Sequence, residues 1–212
     1  MNLEDLLAAW GRGWAASRAT PAPEPLGEGA WRIKVGLPGH RRRDLLPAWP
    51  PDRLRAWADG VAAPGAWIKA LADPATLALP AAWVMQPTEY LMSTPLQATA
   101  PPALTPGYRA ELTAGAAALE CHVLAADGQL AAQARVGLAG PHAVFDQVVT
   151  QETHRRRGLA RHAMALLAGA ALDRGAREGL LVATADGRAL YAAQGWRLDS
   201  PMTAACVPEA VA

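Results

Sequence analysis

The chain has 212 residues, 51% of them hydrophobic, and 20 Lys+Arg against 19 Asp+Glu give a formal net charge of +1 at neutral pH. That length suits one large domain or two small ones with a real core, and the near-zero charge argues against a global field for nucleic acid or a membrane. Two cysteines, Cys121 and Cys206, make neither a disulfide framework nor a metal cluster and are most simply small core residues.

The opening stretch MNLEDLLAAW carries Glu4 and Asp5 and no long apolar run. It reads as neither a signal peptide nor a membrane span, so a cytoplasmic location is expected. Residues 3–18 place Leu3, Leu6, Leu7, Trp10 and Trp14 on one stripe of an amphipathic helix. A Pro/Gly-rich loop follows at 20–29, then an alternating strand at 31–37 and a turn at 38–41. A helix is predicted at 51–63, with Pro near its start and Pro64-Gly65 past its end. A strand at 66–72, a short helix from Asp73 to Ala82 and strands at 83–86 and 89–93 complete this part. Residues 94–107 carry four prolines and no charge, and read as a linker.

Beyond it the pattern is cleaner. Strands are predicted at 108–113 and 117–125, a hairpin turn at Asp127-Gly128, a return strand at 129–139 and a β-rich run at 143–150. A helix over 157–174 buries Leu159, Ala163, Leu166, Leu167 and Ala170, with Gly175 as its C-cap. A strand at 179–184, a short helix at 186–194 and strands near 196–198 and 202–207 follow.

The stretch 153-THRRRGLARHAM-164 sets three arginines where a helix begins, although a helix N-terminus already carries about half a positive charge. Strand, basic glycine-containing turn and helix together form a site for an anion, with Gly158 allowing close backbone approach and the arginines pairing with phosphate oxygens. A phosphate or pyrophosphate is the candidate. The Gly-Lys-Ser/Thr of a Walker loop and the three glycines of a dinucleotide fold are both missing.

The segment 148-VVTQETHRRRGLARHAM-164 resembles the acyl-CoA site of the GNAT superfamily of N-acyltransferases. The pattern Arg/Gln-x-x-Gly-x-Gly/Ala falls on Arg155, Arg156, Arg157, Gly158, Leu159 and Ala160, and 190-LYAAQGW-196 matches a second family stretch, Leu-Tyr-x-x-x-Gly-Phe/Trp. The likeness covers roughly residues 107–212. One departure is Thr184, where an Asn often stands seven residues before the Tyr. The resemblance implies an α/β (α+β) fold, with a mixed, mostly antiparallel twisted sheet flanked by helices. It also implies acetyl-CoA as cosubstrate without a metal, cofactor contacts running from Arg155 through Arg161, and a strand that splays so that Val148, Val149 and Thr150 bind the pantetheine arm and the thioester oxygen. Tyr191 matches the family's general acid, against the alternative of a core tyrosine on a short helix.

Asp146 lies in the apolar strand 144-VFDQVVT-150, where a carboxylate is costly unless used or paired. It takes the amine's proton directly or through water, or binds a cationic substrate, or is a structural Asp paired with an arginine. Gln147 faces the other way and reads as structural. His154 and His162 read as loop and surface residues. Glu120 and His122 share one strand face and have a minor claim to a site role.

Residues 73–83 and 186–196 share Asp, Leu and Trp at an offset of 113, and His-Arg-Arg-Arg recurs at 40–43 and 154–157 at an offset of 114. The first half therefore reads as a degenerate copy of the second. It is not expected to bind CoA: Asp44 replaces the glycine, Pro47, Pro50 and Pro51 disrupt the helix start, and Ala78 matches Tyr191. Arg41–Arg43 then form a solvated strand face. The expected domains are 1–93, a half-domain covering the acceptor site; 94–107, the linker; and 108–212, the acetyltransferase domain. Seven of the eight Trp precede the linker, where one or two could line an acceptor pocket. The leading expectation is acetyl transfer from acetyl-CoA to a primary amine of a small molecule. The rivals are a protein or peptide N-acetyltransferase and a non-catalytic CoA or nucleic-acid binder. Neither nucleic acid nor membrane is an expected partner, and a second copy of the chain is a candidate one.

Overall fold

The structure, a computed structural model, describes residues 2–209. They form two compact units with interleaved sequence. The first holds the residues up to Gly11, Thr20–Ser93 and those from Val182 onward; the second holds Arg12–Ala19 and Thr94–Leu181. This division differs from the expected one at three places. The segment from Val182 onward, with its helix and last strand, goes with the first unit, the end of the first helix goes with the second, and the expected linker is part of the second.

In the first unit, helix α1 (Leu3–Ser17) contributes its opening turns, where Leu6, Leu7 and Trp10 are buried. Strands β1 (Glu24–Gly27), β2 (Ala30–Leu37) and β3 (His40–Leu46) pair antiparallel in order. Helix α2 (Pro51–Val61) then crosses to β4 (Ala66–Ala70), which runs parallel to β3 from Arg42↔Ala66 to Leu46↔Ala70. The sheet continues with β12 (Arg197–Cys206), antiparallel to both β4 and β6 (Glu89–Pro95), and short β5 (Val84–Met85) also pairs with β12. Two ladders on one strand explain why residues beyond Val182 belong here. Leu46, Leu54, Ile68, Trp83 and Ala205 share a buried cluster, and the Trp83 indole N–H donates to the Ala58 carbonyl at 3.0 Å.

The helix expected at 73–82 is only a 3₁₀ turn, Pro74–Thr76, capped by the Asp73 side chain. Pro80 biases Leu79 away from the α region and cannot donate, so the turn does not propagate. The Arg41–Arg43 face also differs from expectation. Arg43 is buried, Arg42 bonds the Val61 carbonyl and Arg41 holds Glu209 at 2.7 Å. Asp44, 1% exposed, is clasped by Arg32 through two bonds of 2.7 Å and accepts from the Trp57 indole at 3.2 Å.

In the second unit, β7 (Tyr108–Ala114), β8 (Ala118–Ala125), β9 (Leu130–Ala139) and β10 (His142–Thr150) form an antiparallel meander. Helix α3 (Leu159–Asp173) lies against β8, β9 and β10 and leads to β11 (Glu178–Ala183), parallel to β10. β8 alternates strictly: Leu119, Cys121 and Val123 are buried, while Glu120 and His122 face the other way. On α3, Leu159, Ala163, Met164, Leu167 and Ala171 are buried at helical spacing. The last turns of α1 approach β9 and β10 so closely that a Cβ on Gly13 would collide with Val144, and one on Gly137 with the Gly13 backbone. The order hairpin, helix, parallel strand occurs as β2–β3–α2–β4 and again as β9–β10–α3–β11. No described helix is long and apolar enough to cross a membrane.

Candidate active site

The second unit's parallel pair opens midway. The β10–β11 ladder runs from His142↔Glu178 to Phe145↔Leu181 and no further. On the other side, the β10–β9 register shifts between Asp146 and Val149. Gln147, inside that shift, sits at φ +51°, a left-handed conformation rare for a side-chain-bearing residue. From Asp146 onward, the edge of β10 that had faced β11 has no ladder bonds. Val148, Val149 and Thr150 occupy this freed edge, with Val149 46% exposed. Unpaired backbone groups of this kind need a partner.

The chain then makes a 3₁₀ turn at Glu152–His154 and enters the basic turn. Arg156 (φ +59°) and Gly158 (φ +74°) are both left-handed. A Cβ at position 158 would meet no protein atom within 4 Å, so the glycine serves conformation and outside access, not internal packing. The first bond of α3 runs from His162 N–H to the Gly158 carbonyl at 3.0 Å, which leaves the N–H groups of Leu159, Ala160 and Arg161 without an intrahelical partner. Leu159 nonetheless buries its side chain and anchors the first turn. Arg155, Arg156 and Arg161 are exposed, and among the described residues no ion pair engages them. Arg157 is held differently: its guanidinium lies 5.9 Å from the Tyr108 ring centroid and donates to the Thr153 carbonyl at 3.4 Å. The structure thus brings Val148–Thr150 and Arg155–Arg161 into one continuous strand–turn–helix stretch.

Asp146 has the arginine partner that the structural alternative requires. Its Oδ2 accepts from Arg18 Nε at 2.7 Å and from Ser17 Oγ at 3.0 Å, and its Oδ1 accepts from Arg18 Nη2 at 3.1 Å. Arg18 in turn stacks 4.8 Å from the Trp14 ring centroid. The sequence reading did not find Arg18, which lies 128 residues from Asp146 at the end of an otherwise ordinary amphipathic helix. Beside this pair, Glu120, Arg135 and Asp146 stand in register across β8, β9 and β10. Glu120 Oε1 bonds Arg135 Nε at 2.8 Å and His122 Nε2 at 2.9 Å. Burial alone would raise the Glu120 carboxyl, but the Arg135 bond and charge, with His122, outweigh it and hold the group below its usual range.

Tyr191 lies in the first unit, on α4 (Ala185–Ala192). Its ring packs 5.8 Å from Trp196, and its carbonyl accepts the Gln194 and Trp196 N–H groups at 2.9 and 3.1 Å. Burial pushes its phenol pKa up, so the group keeps its proton at neutral pH. Thr184 serves as the N-cap of α4, its Oγ1 accepting the Gly187 N–H at 3.2 Å.

The first unit has no matching opening. β3 and β4 stay paired to Leu46↔Ala70, and α2 begins at Pro50-Pro51, two residues that cannot donate an N–H. Among the described residues, no group of three or more His, Cys, Asp or Glu could hold a metal ion.

Comparison with known proteins agrees with this geometry. A search of curated proteins found no match. Among solved structures, the fold is similar to a GCN5-related N-acetyltransferase from Kribbella flavida, with TM-score 0.64, 17% identity and coverage of 99% of this chain and 97% of that one. It is also similar to a putative GNAT-family acetyltransferase from Novosphingobium aromaticivorans (TM-score 0.59, 18% identity, 96% and 99% coverage). A tandem GNAT protein from the clavulanic acid biosynthesis pathway matches over 66% of this chain and 63% of its own, with TM-score 0.52 and 14% identity. That likeness is consistent with a GNAT-like N-terminal half. The model of the acetyltransferase (GNAT) family matches residues 88–196, more than half of the sequence, and the chain belongs to that family of acyl-CoA-dependent acyltransferases.

Proposed function

We infer that this acyltransferase moves an acetyl group from acetyl-CoA to a primary amine of a small molecule. The observation that carries the reading is the opening of β10 from β11 after Phe145, which runs directly into the Gly158 turn. One stretch of backbone thereby offers strand-edge groups to the amides of a pantetheine arm and first-turn N–H groups to a pyrophosphate. Arg155 and Arg156 pair with phosphate oxygens, and Leu159, Ala160 and Arg161 supply backbone donors. The backbone at Val148–Thr150 holds the arm and polarises the thioester oxygen.

The neutral amine attacks the thioester carbonyl carbon. A C–N bond forms, and the oxygen carries negative charge until the C–S bond breaks. In the role the family resemblance implies for Tyr191, its hydroxyl proton passes to the departing thiolate, the amine's surplus proton returns through water to the Tyr191 oxygen, and the products are an amide and CoA. Asp146 enters as an anchor and not as the base, because both of its oxygens already accept bonds, Oδ2 from Ser17 and Arg18 and Oδ1 from Arg18. The nucleic-acid reading has lost half of its support, since Arg41, Arg42 and Arg43 are engaged or buried in the first unit.

The test is thiol release from acetyl-CoA in the presence of a panel of small primary amines and of peptides with free N-termini and lysines. Release with a small amine and not with peptides is expected. The reverse preference replaces the acceptor class, and absence of CoA binding overturns the reading.

A further inference from the structure

The Pro-rich segment 96–107 is more than a tether between elements. Two of its contacts, and a third from the first residue of β7, converge on the residues around the basic turn and on the first turn of α3. The Thr105 hydroxyl donates to the Arg157 carbonyl at 3.4 Å. Tyr108, where β7 begins, shares a hydrogen bond of 2.9 Å between its Oη and His154 Nδ1, with the two rings edge-to-face at 5.7 Å. The Pro102 carbonyl takes a bond of 2.6 Å from His162 Nδ1. A carbonyl only accepts, so His162 Nδ1 carries the hydrogen. Arg157 adds its guanidinium over the Tyr108 ring. All of these residues lie within the second unit.

The turn has a reason to need holding. Arg156 adopts a left-handed φ that costs free energy for any residue with a Cβ, and such a conformation persists only when its surroundings over-determine it. Local support is slight: Arg157 reaches back to the Thr153 carbonyl at 3.4 Å and the Arg155 N–H to the Glu152 carbonyl at 3.3 Å, while Gly158 is freely accessible and Arg155, Arg156 and Arg157 are exposed. Further holding groups stand outside it, at residues 102, 105 and 108.

We propose that residues 96–108 are a strap that keeps the Arg155–Gly158 turn in its anion-binding shape, with Thr105, Tyr108 and His162 as positioning residues for the acyl-CoA donor. This rests on the donor reading given above. Without the strap the turn spends part of its time in other conformations. The apparent dissociation constant for the donor then rises by the inverse of the competent fraction, while groups that touch the donor stay unchanged.

The experiment measures CoA affinity by calorimetry, at a temperature where every variant is fully folded by its melting curve, together with amide hydrogen exchange over residues 153–161. The proteins are wild type, Tyr108→Phe, His162→Ala and His162→Asn. The Asn side-chain amide stands near imidazole Nδ1 and keeps a donor for Pro102. Tyr108→Phe and His162→Ala are expected to bind CoA roughly three- to tenfold more weakly, the range one lost hydrogen bond supports. Exchange should be faster in the turn and unchanged in β8 and β9, and His162→Asn should restore most of the affinity. Wild-type affinity in both Tyr108→Phe and His162→Ala overturns the strap, as does weakening without faster exchange in the turn. Failure of the wild type to bind CoA at all instead overturns the donor assignment, so the two failures are distinct.

Discussion

Replacing Gly158 tests the anion turn most directly, because strain, access and charge can be separated there. The residue sits at φ +74° with no protein atom within 4 Å of a would-be Cβ, so no clash contributes. Gly158→Asp then has one effect on the protein alone and two on donor binding. Left-handed backbone costs a Cβ-bearing residue about 1–2 kcal/mol, somewhat less for Asp and Asn, which in a domain of this size lowers Tm by roughly 2–6 °C. The side chain also blocks close approach of a phosphate to the first-turn N–H groups; losing one charge-assisted bond costs about 1.5–3 kcal/mol. A carboxylate about 4 Å from a phosphate charge adds about 1 kcal/mol of repulsion in bulk water and about 4 kcal/mol at an effective dielectric constant near 20. The turn is exposed, so the lower end applies, and the total loss of affinity is about 3 kcal/mol, or roughly a hundredfold in Kd. Gly158→Asn accepts the same backbone without the charge and should lose only about tenfold. Calorimetric titration with CoA, alongside melting curves, reads all of these. A Gly158→Asp protein that binds CoA within about twofold of wild type refutes both the site and the logic that placed it.

Tyr191→Phe should bind CoA as wild type does and lose most of its turnover in steady-state assays; unchanged turnover reduces Tyr191 to a packing residue. Because burial raises the phenol pKa, wild-type activity should show no loss from this group until the pH passes about 10. Asp146→Asn should lower stability by about 1–2 kcal/mol in denaturant titrations, with Arg18→Ala giving a similar, non-additive loss and turnover largely kept. Lost turnover at unchanged stability makes Asp146 the base instead. Glu120 is held below the ordinary carboxylate range, so its contribution is present above the unfolded value of about 4.3 and disappears as pH falls through the lower folded one. The Tm difference between wild type and Glu120→Gln should therefore shrink on going from about pH 6 to pH 3, and a difference that grows contradicts the Arg135 pairing.

What could be seen in the sequence was local. The run from Val148 to Ala160 carries its own signals, a β-rich strand, a glycine that tolerates φ +74° and an apolar helical stripe, and the structure has strand, turn and helix there. The strand β3 was legible only as the Arg41–Arg43 face, because its first residues, His40 to Arg43, are all polar and mask alternation. The same charges produced a false equivalence: Arg41–Arg43 lie on a strand, whereas Arg155–Arg157 lie in the turn before a helix. The other half of the repeat stood on better ground, since β4 and β11 occupy matching places and Trp83 and Trp196 are both buried. Pairings across the chain left no trace in composition or spacing. Arg18 with Asp146, Tyr108 with His154 and β12 with β4 depend on where the backbone returns, and no residue type announces that.

The place of β12 also bears on how the chain comes to be folded. A ribosome delivers β1 to β6 long before it delivers Arg197–Cys206, and residues 96–196 emerge in between. Until then β4 keeps an open edge of unsatisfied backbone groups along Trp67–Ala70, the kind of edge that recruits stray strands. The second unit's meander, by contrast, pairs neighbours in sequence and can close as it is made. The half translated first is thus completed last, and its nascent form is the species most in need of protection from aggregation during synthesis.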